Sequence, residues 1–356
     1  MRCERLSGAA LGEAPEGRLA GAVLLAPVAV NGLALAKGTR LGDSEARALH
    51  AAARAGALST PLRLAWPEPG DLHEDEASLR LARAVAGPSL LIGSPKQSKV
   101  ALTAKVDGVL RVDIAALGRV NRIDTLEVFT LFHGQAVRAG EVVANVKVAP
   151  HLVPERAVAE GEQLARAVSP VIDIAAYQPL AVAALAAETL PPGGLARFEQ
   201  AARTKVMSLG GRFAGASQVA VDEPAAAVLE LRATLSRLVF EDRVALLLVG
   251  GVSAGDPLSP FYEALEALGG RLLRRGVPAH PGSMIWLASL GETVILGLPQ
   301  CGMFSMATAA DLVLPRLLTG EAITPDTLAD LGHGGLLGRE MRFRFPDYAR
   351  ELSAPE

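Results

Sequence analysis

Between residues 180 and 299 unbroken apolar runs alternate with stretches of helical periodicity. LAVAALAAE is a continuous apolar run, after which Leu195, Phe198, Ala202, Val206 and Leu209 keep helical spacing until Gly210-Gly211 ends them. GASQVAV predicts a second strand, followed by a helix that carries Val228, Leu231, Leu235 and Leu238. Then come the buried-looking run VALLLVGG, a helix with Phe261, Leu265 and Leu268, the run TVILGLP, and a helix bearing Met306, Leu312 and Val313. Apolar strands alternating with helices predict a parallel sheet covered on both faces. In such a sheet a ligand binds outside the carboxyl ends of the strands, where strand order reverses.

The first 176 residues have a different texture. Residues 17–56 hold short apolar stretches split by Asn31-Gly32 and Lys37-Gly38, which predicts a hairpin and then a helix ending at Gly56. Asp43 or Ser44 is placed to cap that helix, because a side-chain oxygen there accepts an unpaired backbone N–H. In PGDLHEDEASLRLARAVAG, residues 71–76 predict an acidic first turn, followed by an apolar side of Leu79, Leu81 and Val85. His73, Glu74, Asp75 and Glu76 also admit a metal cluster, but consecutive helical residues point in different directions. Strand-like pieces separated by Gly118, Gly134 and Gly140 predict a β-rich part between residues 100 and 148, with Lys105 and Lys147 in solvent. The expected division is therefore residues 1–176, an N-terminal α+β region rich in short strands; residues 177–320, an α/β domain; and residues 321–356, a C-terminal tail.

Composition narrows the function classes. With 356 residues the chain is long enough for more than one core. Lys+Arg 35 against Asp+Glu 38 gives a net charge of -3, which argues against a nucleic-acid surface built from clustered cations. Cys3 and Cys301 have no second ligand at metal spacing and cannot staple a secreted fold, so a reducing compartment is expected. The N-terminus lacks the apolar core of a signal peptide, and no apolar run approaches the roughly 20 residues of a membrane helix. The expectation is a cytoplasmic protein without a membrane or nucleic-acid partner.

Three turns in the α/β half are rich in small residues. Gly250, Gly251, Val252, Ser253, Ala254, Gly255 and Asp256 follow VALLLV and precede a helix expected to start near Pro257 or Ser259. Glycines let a backbone approach an anion, a helix N-terminus offers unpaired N–H groups, and Ser253 adds a hydroxyl. Asp256 can cap the helix or hold a cation. The other turns are Pro281-Gly282-Ser283-Met284 and Gly297-Leu298-Pro299-Gln300-Cys301-Gly302. Cys301 beside such a turn is a candidate thiolate or metal ligand, set against the plain alternative of a small packed residue. His280, just before Pro281, is a candidate donor. No nucleophile elbow, HExxH or Walker motif is present.

Taken in order, GGVSAGD, LGG, HPG and GLP resemble the molybdopterin-binding domain shared by molybdenum insertases (MoeA type) and adenylyltransferases (MogA type), over residues 177–320. The resemblance implies a doubly wound three-layer αβα fold. It also implies that Gly250, Gly251, Ser253, Ala254 and Gly255 hold the pterin's terminal phosphate, with Asp222 of Val221-Asp222-Glu223 nearby. Pro281, Gly282, Ser283, Leu298, Pro299 and Cys301 would complete the groove. Competence-damage proteins, with a GGLGPT-like turn, match less well. Several positions depart from the family: Ala186-Ala187-Glu188-Thr189-Leu190 stands where a Thr-Gly-Asp-Glu-Leu turn is usual, leaving only the carboxylate of Glu188. Leu298-Pro299-Gln300-Cys301-Gly302 replaces Leu-Pro-Gly-Asn-Pro, and the insertases' Met-Asp-Gly-Tyr motif is missing.

GDLHEDEA at residues 70–77, VNRID at 120–124 and GLP followed by Cys301 resemble a branch of molybdopterin-binding proteins often joined to a cytidylyltransferase, although the LAAGxSxRxG start of that transferase is absent. By resemblance the chain binds molybdopterin or its nucleotide form and serves cofactor biosynthesis or delivery to a cytidylyltransferase or molybdoenzyme. The alternative is a molybdenumtransferase inserting molybdate into adenylylated molybdopterin, with Asp256 and Glu188 as catalytic carboxylates holding Mg²⁺ or molybdate. Related domains also imply a homo-oligomer.

Overall fold

The alternating runs of the second half form one six-stranded sheet in the computed structural model, which describes residues 1–304 and 306–350. Its elements in chain order are β1 (Ala181–Ala186), α1 (Gly194–Ser208), β2 (Arg212–Gln218), α2 (Pro224–Ser236), β3 (Leu246–Gly250), α3 (Pro260–Ala267), β4 (Arg271–Arg275), β5 (Trp286–Leu290), β6 (Thr293–Gly297) and α4 (Ala310–Leu317). The strand order is β2-β1-β3-β6-β5-β4. β2, β1, β3 and β6 are mutually parallel, and β5 runs antiparallel to both of its neighbours.

Alternate side chains of each strand go to opposite faces, and both faces are covered, which is why the strands are apolar throughout. Val182, Ala184, Leu246 and Leu248 pack with Phe198, Ala202 and Val206 of α1 and with Val313 and Leu317 of α4. Ala183, Leu185, Leu247 and Val249 pack with Val228, Leu231 and Leu235 of α2 and with Phe261 and Leu265 of α3. This is a doubly wound three-layer α/β fold. β2 lies on one side of β1 and β3 on the other, so strand order reverses between β1 and β3, and the crevice belongs above their carboxyl ends.

The structure departs from the sequence reading in several places. WLASLGETVIL contains two strands, β5 and β6, joined through Gly291 as a hairpin. Met306 precedes α4 rather than lying in it. The stretch expected to be a tail is, as far as residue 350, part of the fold: Ile323, Leu328, Leu331, Leu337, Phe345 and Ala349 join the core beneath α1 and α4. Its apolar residues are too widely spaced to show a helical or strand period, yet each is buried.

The chain divides into two compact units: residues 1–105, 111–133 and 139–174 make the first, and residues 106–110, 134–138 and 175–356 the second. Glycines mark the two short pieces contributed to the second unit, Gly108 in the first and Gly134 in the second, but nothing in either piece tells which unit it joins. Within the first unit, Arg2–Leu6, Leu62–Trp66 and Val23–Leu24 form an antiparallel sheet. Leu6, Leu24 and Leu64 of these strands pack with Leu49 of the helix Asp43–Arg54. That helix is capped by Gly42, without the side-chain cap expected from Asp43 or Ser44; Ser44 donates to Glu45 instead. A second antiparallel sheet orders Leu126–Thr130, Val142–Val148, Val100–Ala104 and Leu90–Ile92, as the β-rich pattern predicts.

The HEDE cluster has a structural role. His73 is the N-cap of the helix Glu74–Val85, its Nδ1 accepting from the Asp75 N–H at 3.3 Å while Nε2 meets the Gly38 carbonyl at 2.9 Å. The acidic first turn accordingly begins at Glu74, because residues 71–73 form a short strand. Glu74 is buried and bonds His151 Nδ1 at 2.7 Å.

Candidate functional site

At the carboxyl ends of β3 and β6 opens a cleft of about 400 Å³ lined by Gly251, Val252, Ser253, His280, Gly282, Ser283, Met284, Leu298, Pro299, Gln300 and Cys301. The three turns singled out from the sequence meet here. Two glycines in the cleft wall have no room for a side chain. Gly251 has φ +79°, and a Cβ there would lie 2.6 Å from the side chain of Glu188. Gly282 has φ +103°, and a Cβ would lie 2.7 Å from the backbone nitrogen of Ala309. Gly250 ends β3 against Met303, and Pro281 follows a cis peptide bond and is buried beneath the cleft wall.

The chemistry of the wall is that of neutral donors. Among the described residues of the lining, His280 and Cys301 are the titratable side chains. Among the described residues the N–H groups of Ser253 and Ala254 have no hydrogen-bond partner, and an unpaired N–H is a strong site for an anion. Ser253 Oγ accepts from the Gly255 N–H at 3.1 Å, which fixes the hydroxyl oxygen and leaves its proton to donate. These donors therefore suit an anion such as a phosphate group. The expected contribution of a helix N-terminus is not seen: α3 starts at Pro260, capped by Ser259, and residues 254–259 separate it from the lining.

The candidate carboxylates stand outside the wall. Glu188, just beyond β1, accepts from Gln300 Nε2 through both oxygens at 3.4 and 3.3 Å. Asp256 is exposed and accepts the Leu258 N–H at 3.0 Å, closing a local turn. Asp222, also exposed, accepts the Thr189 hydroxyl at 2.6 Å. Among the described residues no three His, Cys, Asp or Glu side chains come together at metal-binding distance, so a divalent cation held by Glu188 or Asp256 would need oxygens from its ligand.

Sequence reasoning missed three side chains behind the glycine-rich turn. Trp286 Nε1–H donates to the Val252 carbonyl at 2.8 Å, Tyr262 O–H to the Ser253 carbonyl at 3.2 Å, and Arg275 Nη1–H to the Ala254 carbonyl at 3.4 Å. Burial pushes the Tyr262 hydroxyl up to about 12, so it is a protonated donor at neutral pH. Gln300 was visible only as the residue standing where the glycine of Leu-Pro-Gly-Asn-Pro was expected. Its place directly after Pro299 was the signal.

No protein-family model matches the chain, and no curated protein matches it. Among solved structures, the molybdopterin biosynthesis enzyme MoaB of Thermus thermophilus is 20% identical, covering 40% of this chain and 98% of that one, with a TM-score of 0.28. The molybdopterin biosynthesis MoeA protein of Pyrococcus horikoshii is 15% identical, covering 70% of this chain and 74% of that one, also with a TM-score of 0.28. No helix among the described residues is long and apolar enough to cross a membrane.

Proposed function

We propose that this chain binds molybdopterin, or its nucleotide form, in the cleft at the carboxyl ends of β3 and β6. In this role it holds the cofactor during biosynthesis or delivery to a cytidylyltransferase or molybdoenzyme. The observation that carries the proposal is the convergence of the three small-residue turns on one wall, where unpaired N–H groups and the Ser253 hydroxyl are open to an anion. The pterin's phosphate takes these donors, and its ring system lies against Leu298, Pro299 and Met284. A second reading, insertion of molybdate into adenylylated molybdopterin, draws on the carboxylate of Glu188, which packs against Gly251 at the cleft edge. Glu188 and Asp256 would then hold Mg²⁺ or molybdate together with ligand oxygens, and Cys301 would stand close enough to touch the cofactor.

Isothermal titration of the chain with molybdopterin and with its adenylylated form, with and without molybdate and Mg²⁺, tests both. Binding without turnover identifies a carrier; release of AMP with a molybdenum-loaded product identifies a transferase; no binding sinks the proposal. Ser253→Ala should weaken binding by about tenfold, the loss of one hydrogen bond to a charged group. Asp256→Ala should weaken binding or activity too, whereas Arg350→Ala should leave both unchanged. Sedimentation of the same samples reads whether the chain is a homo-oligomer.

A further inference from the structure

Three consecutive carbonyls of the glycine-rich turn are each bonded by a side chain from a different element: Val252 by Trp286 of β5, Ser253 by Tyr262 of α3, and Ala254 by Arg275 of β4. The three side chains form one continuous stack. The Arg275 guanidinium lies 4.6 Å above the Tyr262 ring, and that ring meets Trp286 edge-on with centroids 5.4 Å apart. Trp286 reaches across because it pairs with Gly297 on β6, where nothing projects from the strand.

We infer that Trp286 and Tyr262 are positioning residues that turn the peptide units after Val252 and Ser253 so that the N–H groups of Ser253 and Ala254 face a bound phosphate monoester, while Arg275 holds the third carbonyl of the turn; this rests on the reading of the cleft as an anion site. In a trans peptide the carbonyl and the following N–H point in opposite directions. Tying the Val252 and Ser253 carbonyls to the stack therefore aims the N–H groups of Ser253 and Ala254 away from it, and both are unpaired among the described residues. Arg275 makes no ion pair among the described residues, although the Asp256 carboxylate acts on the same Tyr262 hydroxyl as its guanidinium. The guanidinium supplies the positive field that the neutral wall lacks. The expected ligand is a dianionic phosphate, favoured over a neutral or singly charged group of the same size. No residue of the stack needs to touch it.

The test uses the full chain with inorganic phosphate as one probe and molybdopterin as the other. Amide proton shifts of Ser253 and Ala254 are followed by nuclear magnetic resonance, and affinities by isothermal titration. Tyr262→Phe keeps the ring between Arg275 and Trp286 and removes only the donor, while Arg275→Gln removes the charge from an exposed side chain. Phosphate should shift both amide protons downfield in the wild type. Tyr262→Phe should weaken affinity for both probes three- to tenfold and shrink the shift, with an unchanged melting temperature. Arg275→Gln should flatten the dependence of phosphate affinity on ionic strength. The inference is overturned if the wild type binds molybdopterin without moving the Ser253 and Ala254 amides, or if both variants bind like wild type; in either case the cleft remains a pterin site. Failure of the wild type to bind either probe overturns the pterin reading together with it.

Discussion

Trp286 faces Gly297 across the β5–β6 pair, and a Cβ on Gly297 would fall 2.0 Å from the indole. The ring occupies the space that a side chain would take, and from there its N–H reaches the Val252 carbonyl. Gly297→Ala must displace a fully buried tryptophan, an overpacking that costs about 1–3 kcal/mol. Chemical denaturation should show a lower midpoint, and pterin affinity should fall with it because the Val252 carbonyl loses its donor. Wild-type stability in this variant would show that the ring can lie elsewhere.

Gly282 makes a comparable demand through backbone rather than through a ring. Its φ of +103° and the 2.7 Å approach of the Ala309 nitrogen leave Gly282→Ala strained by about 1–3 kcal/mol, with the cleft wall distorted. Gly269→Ala is the matched control, since Gly269 has φ +78° and open space around it. Both variants should lose stability, but only Gly282→Ala should lose pterin binding.

Lys205 and Asp311 form a buried ion pair at 2.5 Å, and Asp311 also accepts from the Tyr348 hydroxyl and the Thr308 N–H. Burial and the neighbouring Asp311 hold the Tyr348 hydroxyl well above its ordinary value, so it stays a donor. Removing one partner leaves a buried charge uncompensated, so Lys205→Met should cost about 3–5 kcal/mol, read as a shift in the urea midpoint. A double change, Lys205→Met with Asp311→Leu, should recover part of that loss.

In the first unit, Arg80 donates to Glu162 through Nε and Nη2 at 3.0 and 3.1 Å and to Glu155 at 2.8 Å. The hydrogen bonds from Arg80 hold the Glu162 carboxyl below its ordinary value. A depressed carboxylate contributes stability that is complete above the unfolded pKa of 4.5 and is lost as pH falls through the folded value. Arg80→Ala should therefore weaken the chain at neutral pH, with a deficit that is full above 4.5 and shrinks as pH falls through the folded value of Glu162. A stability–pH profile identical to wild type would show the pair to be inert.

The second unit was largely legible because strands buried on both faces cannot alternate. They appear as unbroken apolar runs such as VALLLV, and helical spacing between them completes the fold. The three cleft turns were legible for a related reason, since glycines such as Gly251 and Gly282 sit where backbone or side chains leave no space for a Cβ. What lies behind the turn was not. Nothing local to Trp286, Tyr262 or Arg275 reports that they converge on consecutive carbonyls, because that convergence is made by sheet order and not by sequence spacing. The same holds for Arg80 and Glu162, which are 82 residues apart. The candidate carboxylates illustrate the reverse: Asp256 and Asp222 lie near the expected strand ends, yet outside the cleft lining Asp256 accepts the nearby Leu258 N–H and Asp222 the hydroxyl of Thr189, 33 residues away in sequence.

The residues beyond 320 carry a consequence for anyone who would divide this chain. Ile323, Leu328, Leu331, Leu337 and Phe345 lie over the same core that α1 and α4 enclose, and Leu337 N–H and His280 N–H exchange bonds with the carbonyls of His280 and Gly335. A polypeptide ended at Gly320 would expose that apolar face to water and strip the cleft-lining His280 of its backbone partners. Such a fragment would retain every glycine-rich turn and still be sticky, short-lived and poor at holding a ligand.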